Sequence, residues 1–371
     1  MSLRKVIISG GGTGGHIFPA IAIANALKQM IEGIDILFVG AIGKMEMEKV
    51  PAAGYKIEGL HISGLQRKLT LRNLAFPFKV MRSLLAAGRI LKRFQPDVVV
   101  GVGGYASGPL LYMATNKHIP ALIQEQNSYA GITNRLLAKK VDRICVAYDR
   151  MDRYFPKEKL LLTGNPVRQD ITDLTSKREQ AIAHFGFHPQ QKILLVIGGS
   201  LGSATINKSI LAALPALTEA GIQVLWQTGA YYHDSMLEKA KPFLQKGVSV
   251  NAFVKEMDLA YACADLVVSR AGASSISELC LAAKPTILIP SPNVAEDHQT
   301  RNAMSLVDKQ ATVLVKDSEA PVKLGGEILS LMKDDDHRQQ LARAIGNMAE
   351  RDSAKRIADE VIRIYESRKR S

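Results

Sequence analysis

Short apolar runs alternate along this chain with longer stretches whose apolar positions recur at helical spacing. The runs predict strands at 5–9, 35–40, 97–101, 120–124 and 143–147, then at 192–197, 222–227, 248–251, 265–268, 285–289 and 311–315. Amphipathic stretches such as 17–30 and 73–94 predict helices between them. That alternation predicts parallel sheets covered by helices on both faces.

The rhythm restarts once. Val6-Ile7-Ile8-Ser9 runs into Gly10-Gly11-Gly12-Thr13-Gly14-Gly15-His16, and Ile193–Ile197 runs into Gly198-Gly199-Ser200-Leu201-Gly202. Glycines let backbone N–H groups approach an anion, and the following helix presents its positive end. Two such loops in 371 residues predict two Rossmann-like, doubly wound α/β domains facing each other across a central cleft. The N-terminal domain is expected at 1–163 and the C-terminal domain at 164–346. A helical tail at about 347–371 is expected to pack back on the first domain. The Asn165-Pro166 step suits the link, because the residue before proline is pushed out of helical conformation.

Charge adds a partner. The net charge is +13, and residues 1–160 carry 23 Lys and Arg against 11 Asp and Glu. The stretch from Gly59 to Pro96 has no acidic residue and includes Arg67, Lys68, Arg72, Lys79, Arg82, Arg89, Lys92 and Arg93. Leu71, Leu74, Phe78, Met81 and Leu85 follow at spacings of three and four, with Phe76 nearby. A basic helix with an apolar stripe is most simply a core helix with a charged outer face. Here Arg72, Lys79 and Arg82 border the stripe with no acid to balance them, which suits anionic lipid headgroups touched also by Phe76 and Phe78. Nucleic acid is not expected, since the stretch lacks Trp and Tyr for stacking and matches no nucleic-acid module. No apolar run approaches bilayer-spanning length, and no cleavable signal is evident. Cys145, Cys263 and Cys280 are scattered in apolar surroundings and read as reduced core residues.

Several loops carry candidate chemistry. Gly10, Gly12 and Gly15 satisfy the dinucleotide glycine pattern, but the second strand ends at Phe38–Ile42 without the carboxylate that would hold a ribose. Anion binding is the expectation that remains. A lone His16 is often a packing residue, but this one sits where a strand end meets the loop and suits a general base near neutral pH. Gly101–Pro109 and Glu125-Gln126-Asn127 follow two further strands and should line the same sheet edge. In the second half, Ser269–Glu278 leads small residues into a helix, another anion cradle, with Glu278 placed to hold a ribose diol. Glu296-Asp297-His298 cannot converge on one ion from a helix, and Asp334–Asp336 reads as a helix start. No tightly bound metal or other cofactor is expected.

These motifs, in order, are Gly-Gly-Thr-Gly-Gly-His at 11–16, Gly-Gly-Tyr-Ala-Ser-Gly-Pro at 103–109, Glu-Gln-Asn at 125–127 and Gly-Asn-Pro-Val-Arg at 164–168. Gly-Gly-Ser-Leu-Gly at 198–202, Ser-Arg-Ala-Gly-Ala-Ser-Ser-Ile-Ser-Glu at 269–278 and Asp-His-Gln at 297–299 follow. Together they resemble the MurG family of peptidoglycan N-acetylglucosaminyltransferases, which turn lipid I into lipid II. The resemblance implies a GT-B fold, UDP-N-acetylglucosamine as donor and the lipid-linked N-acetylmuramoyl-pentapeptide (lipid I) as acceptor. It implies a peripheral enzyme on the cytoplasmic face of the bacterial cell membrane, serving cell-wall growth, cell shape and division, with room for contacts with other cell-wall synthesis proteins. It implies His16 as base. Donor contacts would come from Thr13, Gly14, Gly15, Asn127, Arg168, Ser200, Val254, Ala273, Ser274, Ser275, Glu278 and Gln299. Acceptor contacts would come from Gly11, Gly12, Gly104, Tyr105 and Ser107, with the first glycine loop facing the acceptor's pyrophosphate. Family members often carry paired glutamines where this chain has His298-Gln299. A UDP-N-acetylglucosamine 2-epimerase-like enzyme on the same fold is the alternative, and it would leave the stretch 67–93 unexplained. A non-catalytic binding protein is suggested by charge alone.

Overall fold

The computed structural model describes residues 3–62, 76–167, 171, 174–199 and 201–370. The chain forms two units, Met1–Val167 with Glu350–Ser371, and Arg168–Ala349. The first division follows Val167 because the preceding segment is tied to the first sheet. Thr163 and Gly164 donate backbone N–H groups to Val146 O, and Gln124 Nε2 donates to Asn165 Oδ1 at 2.9 Å.

The first unit contains β1 (Lys5–Gly10), α1 (Gly14–Met30), β2 (Asp35–Ala41), α2 (Glu46–Ala52), β3 (Lys56–Leu60) and α3 (Phe76–Phe94). It continues with β4 (Val98–Gly103), α4 (Ser107–Asn116), β5 (Ala121–Glu125), α5 (Ile132–Leu137), β6 (Arg143–Val146) and β7 (Leu160–Leu162). Among the described residues these strands form one parallel sheet in the order β3-β2-β1-β4-β5-β6-β7. Strands β1 and β4 are apolar on both faces and wholly buried over Val6–Ile8 and Val98–Val100, as a doubly covered parallel sheet requires. Strands β3 and β7, absent from the sequence-based expectation, are the two edges.

The second unit contains α6 (Arg178–Phe185), β8 (Ile193–Ile197), α7 (Ala204–Glu219), β9 (Gln223–Gln227), α8 (His233–Leu244), β10 (Val248–Asn251) and α9 (Met257–Cys263). There follow β11 (Leu266–Ser269), α10 (Ala273–Ala282), β12 (Thr286–Leu288), α11 (His298–Val307), β13 (Val313–Leu314), α12 (Ala320–Lys333) and α13 (Asp335–Gly346). Its parallel sheet runs β10-β9-β8-β11-β12-β13. The final helix, α14 (Ser353–Arg370), buries Ile357, Ala358, Val361 and Ile364 in the core of the first unit beside α1. Cys145, Cys263 and Cys280 are buried free thiols, and burial pushes each up to about 12.

Strand order reverses between β1 and β4 in one unit and between β8 and β11 in the other. Loops diverge at such a reversal and leave a crevice at the carboxyl ends of the strands, where ligands of open α/β sheets bind. Both glycine loops occupy such a point.

Candidate active site

In the first unit, Thr13 is extended at the start of α1, and its carbonyl accepts His16 N–H at 3.1 Å. His16 therefore lies in the first helical turn. Its Nδ1 is 3.0 Å from Gly11 O and 3.2 Å from Thr13 Oγ1. A carbonyl oxygen only accepts, so that contact places a proton on Nδ1 and, in the neutral ring, leaves the lone pair on Nε2. The ring lies against Gly103, whose φ is +106°. A Cβ there would sit 2.6 Å from His16 Cδ2 and 2.8 Å from Nε2. Gly104, at φ +89°, is pressed on Gly11 so closely that a side chain would collide with the Gly11 backbone. Tyr105 beside it is exposed.

Three residues expected to contact the acceptor have polar groups engaged within the protein. Gly11 N–H donates to Gly103 O at 3.3 Å and Gly12 N–H donates to Glu46 Oε2 at 2.8 Å, so neither addresses a pyrophosphate. The donors of this loop that a helix start leaves without intrahelical partners are those of Gly14 and Gly15. Ser107 is fully buried and its hydroxyl lies 2.9 Å from Ser9 O and 2.8 Å from Gly103 O. It pins β4 to β1 and does not meet a ligand.

Glu125, at the end of β5, organises the third loop. One carboxylate oxygen accepts Asn127 N–H at 3.1 Å, and the other accepts Gly131 N–H at 3.0 Å and Asn134 Nδ2 at 2.8 Å. Burial pushes its carboxyl above the usual range, opposed by those hydrogen bonds. Asn127 is thus held half-buried, and the adjacent Gln126 ties the segment to β4, its Nε2 donating to Val102 O at 2.5 Å.

In the second unit, α10 begins at Ala273 with no side-chain cap on its N-terminus. Ser274 Oγ, in that first turn, is buried without a hydrogen-bond partner, and Ser275 is half-buried next to it. A bare helix N-terminus with an unanswered hydroxyl is equipped to hold an anion. Arg270 braces the neighbouring loops: Nη2 donates to Ser203 Oγ at 2.6 Å, and Nη1 donates to Ile289 O at 3.0 Å and to Asp317 Oδ1 at 2.6 Å. Gln227 spans two more, since Nε2 donates to Gly199 O at 3.3 Å and Oε1 accepts Val254 N–H at 2.9 Å. Of the Val254 backbone groups the N–H is thus taken, and the carbonyl is the one left to offer. Glu278 lies one turn into α10 and accepts from Tyr261 Oη at 3.1 Å. Gln299, on α11, accepts Ser291 N–H at 2.8 Å through Oε1, so its polar capacity toward a ligand lies in the Nε2 donors. His298 opens α11 after Glu296 and Asp297, both left-handed at φ 56° and 51°. Arg168, Ser200, Arg72 and the Phe76 side chain lie outside the described residues.

Sequence reasoning missed Glu46, Gln227, Tyr261 and Arg270. Arg270 sat within a motif already noted. The sequence signal for Glu46 is indirect: Gly11 and Gly40 are the positions where a side chain would collide with it. Among the described residues no group of three or more His, Cys, Asp and Glu is arranged to hold a metal.

Two doubly wound parallel-sheet units, each with a helix-start site at its own strand reversal and one with an oriented histidine, are the architecture of a GT-B-type enzyme, and the family it matches makes it a glycosyltransferase. The chain belongs to glycosyltransferase family 28: residues 6–146 match that family's N-terminal domain and residues 193–357 its C-terminal domain. It is 52% identical over 368 residues, 99% of this chain and 100% of the relative, to the UDP-N-acetylglucosamine–N-acetylmuramyl-(pentapeptide) pyrophosphoryl-undecaprenol N-acetylglucosamine transferase of Parabacteroides distasonis. A transferase of the same name from Cytophaga hutchinsonii is 55% identical over 97% of this chain and 96% of its own length. Among solved structures, the crystal structure of Acinetobacter baumannii MurG matches with a TM-score of 0.81 at 27% identity, covering 97% of this chain and 99% of that one. A UDP-N-acetylglucosamine 2-epimerase shares the fold at a TM-score of 0.63 with 14% identity, covering 99% of this chain and 98% of that one.

Proposed function

We propose that this chain moves N-acetylglucosamine from UDP-N-acetylglucosamine to the 4-hydroxyl of the N-acetylmuramoyl unit of lipid I, forming lipid II with inversion at the anomeric carbon. The observation that carries this reading is identity above one half, end to end, with transferases named for that reaction. The epimerase shares only the fold at 14% identity.

In the proposed displacement His16 Nε2 takes the proton of the acceptor hydroxyl as its oxygen attacks the anomeric carbon. The bond from that carbon to the UDP oxygen breaks, and UDP leaves with its charge held at the N-terminus of α10 by Ala273, Ser274 and Ser275, with Arg168 and Ser200 as further contacts. Glu278 addresses the ribose, the Val254 carbonyl the uracil, and Gln299 and Asn127 the sugar. Gly14, Gly15 and Thr13 meet the reacting sugars, while Tyr105 and Gly104 border the acceptor. The reaction as proposed calls on no resident metal.

No helix among the described residues is long and apolar enough to cross a membrane. We place the protein peripherally on the anionic cytoplasmic face of the cell membrane. What supports this is α3: Phe78, Met81 and Leu85 are 79%, 60% and 58% exposed, and Lys79 and Arg82 beside them are exposed too. The described part of a stripe read from sequence most simply as core, Phe78, Met81 and Leu85, is therefore in solvent, while Leu71 and Leu74 lie outside the described residues. Ile132 and Leu136 on α5 add exposed apolar surface within the same unit.

The deciding experiment is UDP release with and without a soluble lipid I analogue. Acceptor-dependent release with a β-1,4-linked product is expected, and acceptor-independent release with a change at C2 of the sugar sinks the reading. His16→Ala should lower turnover by about 100-fold or more and leave donor affinity intact.

A further inference from the structure

We propose that Glu46 is a positioning residue for His16 and acts on it through the peptide group that joins Gly11 to Gly12. The proposal builds on the reading of His16 as the base. Glu46 is 1% exposed at the start of α2, five residues past the end of β2. Its Oε2 accepts Gly12 N–H at 2.8 Å and its Oε1 accepts Ala41 N–H at 3.0 Å. The carbonyl of that same Gly11–Gly12 peptide is the oxygen 3.0 Å from His16 Nδ1. One planar amide is therefore gripped at both ends, by a carboxylate at its N–H and by an imidazole at its oxygen.

The amide is conjugated, so an anion at the N–H end shifts electron density toward the oxygen and makes it a stronger acceptor. A stronger acceptor holds the proton on Nδ1, fixes the ring plane and raises the basicity of Nε2. A carboxylate does this directly in carboxylate–histidine pairs. Here a peptide group stands between them. The fold makes room for the arrangement: a side chain at Gly11 would collide with the Glu46 carboxylate, and a Cβ at Gly40 would lie 2.6 Å from Glu46 Cγ. A glutamine cannot replace it, because both partners are N–H donors and an amide has one oxygen to offer.

The test uses the full-length protein with 15N-labelled histidine, the His16 signal being identified by its loss in His16→Ala. In the wild type at a pH where the ring is neutral, His16 is expected as the Nδ1–H tautomer, and Glu46→Gln should shift the balance toward Nε2–H. In UDP-release kinetics Glu46→Gln should lower kcat by about tenfold or more and leave the donor KM within about twofold. Adding Glu46→Gln to His16→Ala should cost nothing further, because the carboxylate acts through the ring. An Nε2–H tautomer in the wild type overturns the proposal, and it does so even if the Gln variant fails to fold. Losses that multiply in the double variant overturn it too, since they mark a loop-stabilising role independent of His16. If His16→Ala retains full turnover the base reading falls, whereas the tautomer measurement still decides the link between Glu46 and the ring.

Discussion

Replacing Gly103 with alanine tests the placement of His16 without touching the imidazole. The added methyl would lie 2.6 Å from Cδ2 and 2.8 Å from Nε2 of that ring, well inside van der Waals contact. The ring must turn or shift, and either motion breaks the 3.0 Å contact of Nδ1 with Gly11 O. A general base contributes about 100- to 10,000-fold, so its displacement should lower turnover by at least about 100-fold, or about 2.7 kcal/mol in the barrier. The substitution also forces a side chain onto a backbone at φ +106°, a strain of about 1–3 kcal/mol. That strain alone lowers stability, so a control is needed. Gly33 has φ +71° with nothing within 4 Å of where a Cβ would stand, so Gly33→Ala carries backbone strain and displaces nothing.

The assay is UDP release with a soluble acceptor analogue, alongside calorimetric donor binding and thermal melting of both variants. Both should melt lower, by a few degrees for each kcal/mol lost. Gly33→Ala should keep its turnover, whereas Gly103→Ala should lose it and still bind the donor. Turnover of Gly103→Ala equal to that of Gly33→Ala would refute the assignment of His16 as base.

Three further outcomes are expected. Phe78→Ser with Arg82→Glu removes one large exposed apolar group and reverses one charge; binding to anionic vesicles should weaken by more than tenfold at about 1 kcal/mol per basic residue, with activity on the soluble acceptor spared. Equal vesicle binding would return α3 to the role of a solvent-facing helix. Exhaustive dialysis against a chelator should leave turnover unchanged, and a loss restored by one divalent ion would contradict the metal-free reading. Lys284, whose ammonium is buried and held down to about 8 chiefly by that burial and then by Arg178, titrates about 10.5 when unfolded. Between those values the unfolded chain binds the extra proton, so stability rises with pH from about 8 to 10.5 and the burial penalty is fully present below 8. Lys284→Met removes a burial penalty of about 3 kcal/mol but also the 2.9 Å hydrogen bond of Nζ to Ala264 O, worth about 1 kcal/mol, so it should stabilise the protein at pH 7 by on the order of 2 kcal/mol, and this advantage should shrink toward pH 10. An advantage independent of pH would place its origin in packing.

The sheets were legible because a buried parallel strand needs an unbroken apolar run, and nearly every run in the sequence became one. Strands β3 and β7 were not, because an edge strand needs less apolar surface: Lys56–Leu60 carries Lys and Glu, and Leu160–Leu162 is three residues long. At the site, glycine clusters and His16 announced themselves through composition. The hydrogen-bond partners of backbone groups did not, since they depend on which chains pass close in space. That is why nothing in the sequence showed that Glu46 holds the Gly12 N–H and Gln227 the Val254 N–H. Ser107 misled for the same reason: a serine in a glycine-rich loop looks alike whether it meets a ligand or, as here, Ser9 and Gly103.

The two glycine loops share a sequence pattern and a place at a strand reversal, yet their wiring differs in sign. Beneath the loop at 10–15 lies a buried carboxylate, Glu46, in direct contact with Gly12 N–H. Beside the loop at 198–202 lies Arg270, reaching Ser203 Oγ, with Asp317 offsetting part of its charge. At an effective dielectric of about 20, a like charge 4 Å away costs a phosphate on the order of 4 kcal/mol, and the cost falls only as the inverse of distance. Arg270 stands beside the second loop, and α10 adds an uncapped helix N-terminus and an unanswered serine hydroxyl, whereas at the first loop the equally uncapped start of α1 is accompanied by Glu46 on Gly12 N–H. On the proposed reading, the carboxylate that holds Gly12 N–H is also the group that strengthens His16 as base through the Gly11–Gly12 peptide. On that reading Glu46→Gln should weaken the base while leaving donor affinity unchanged.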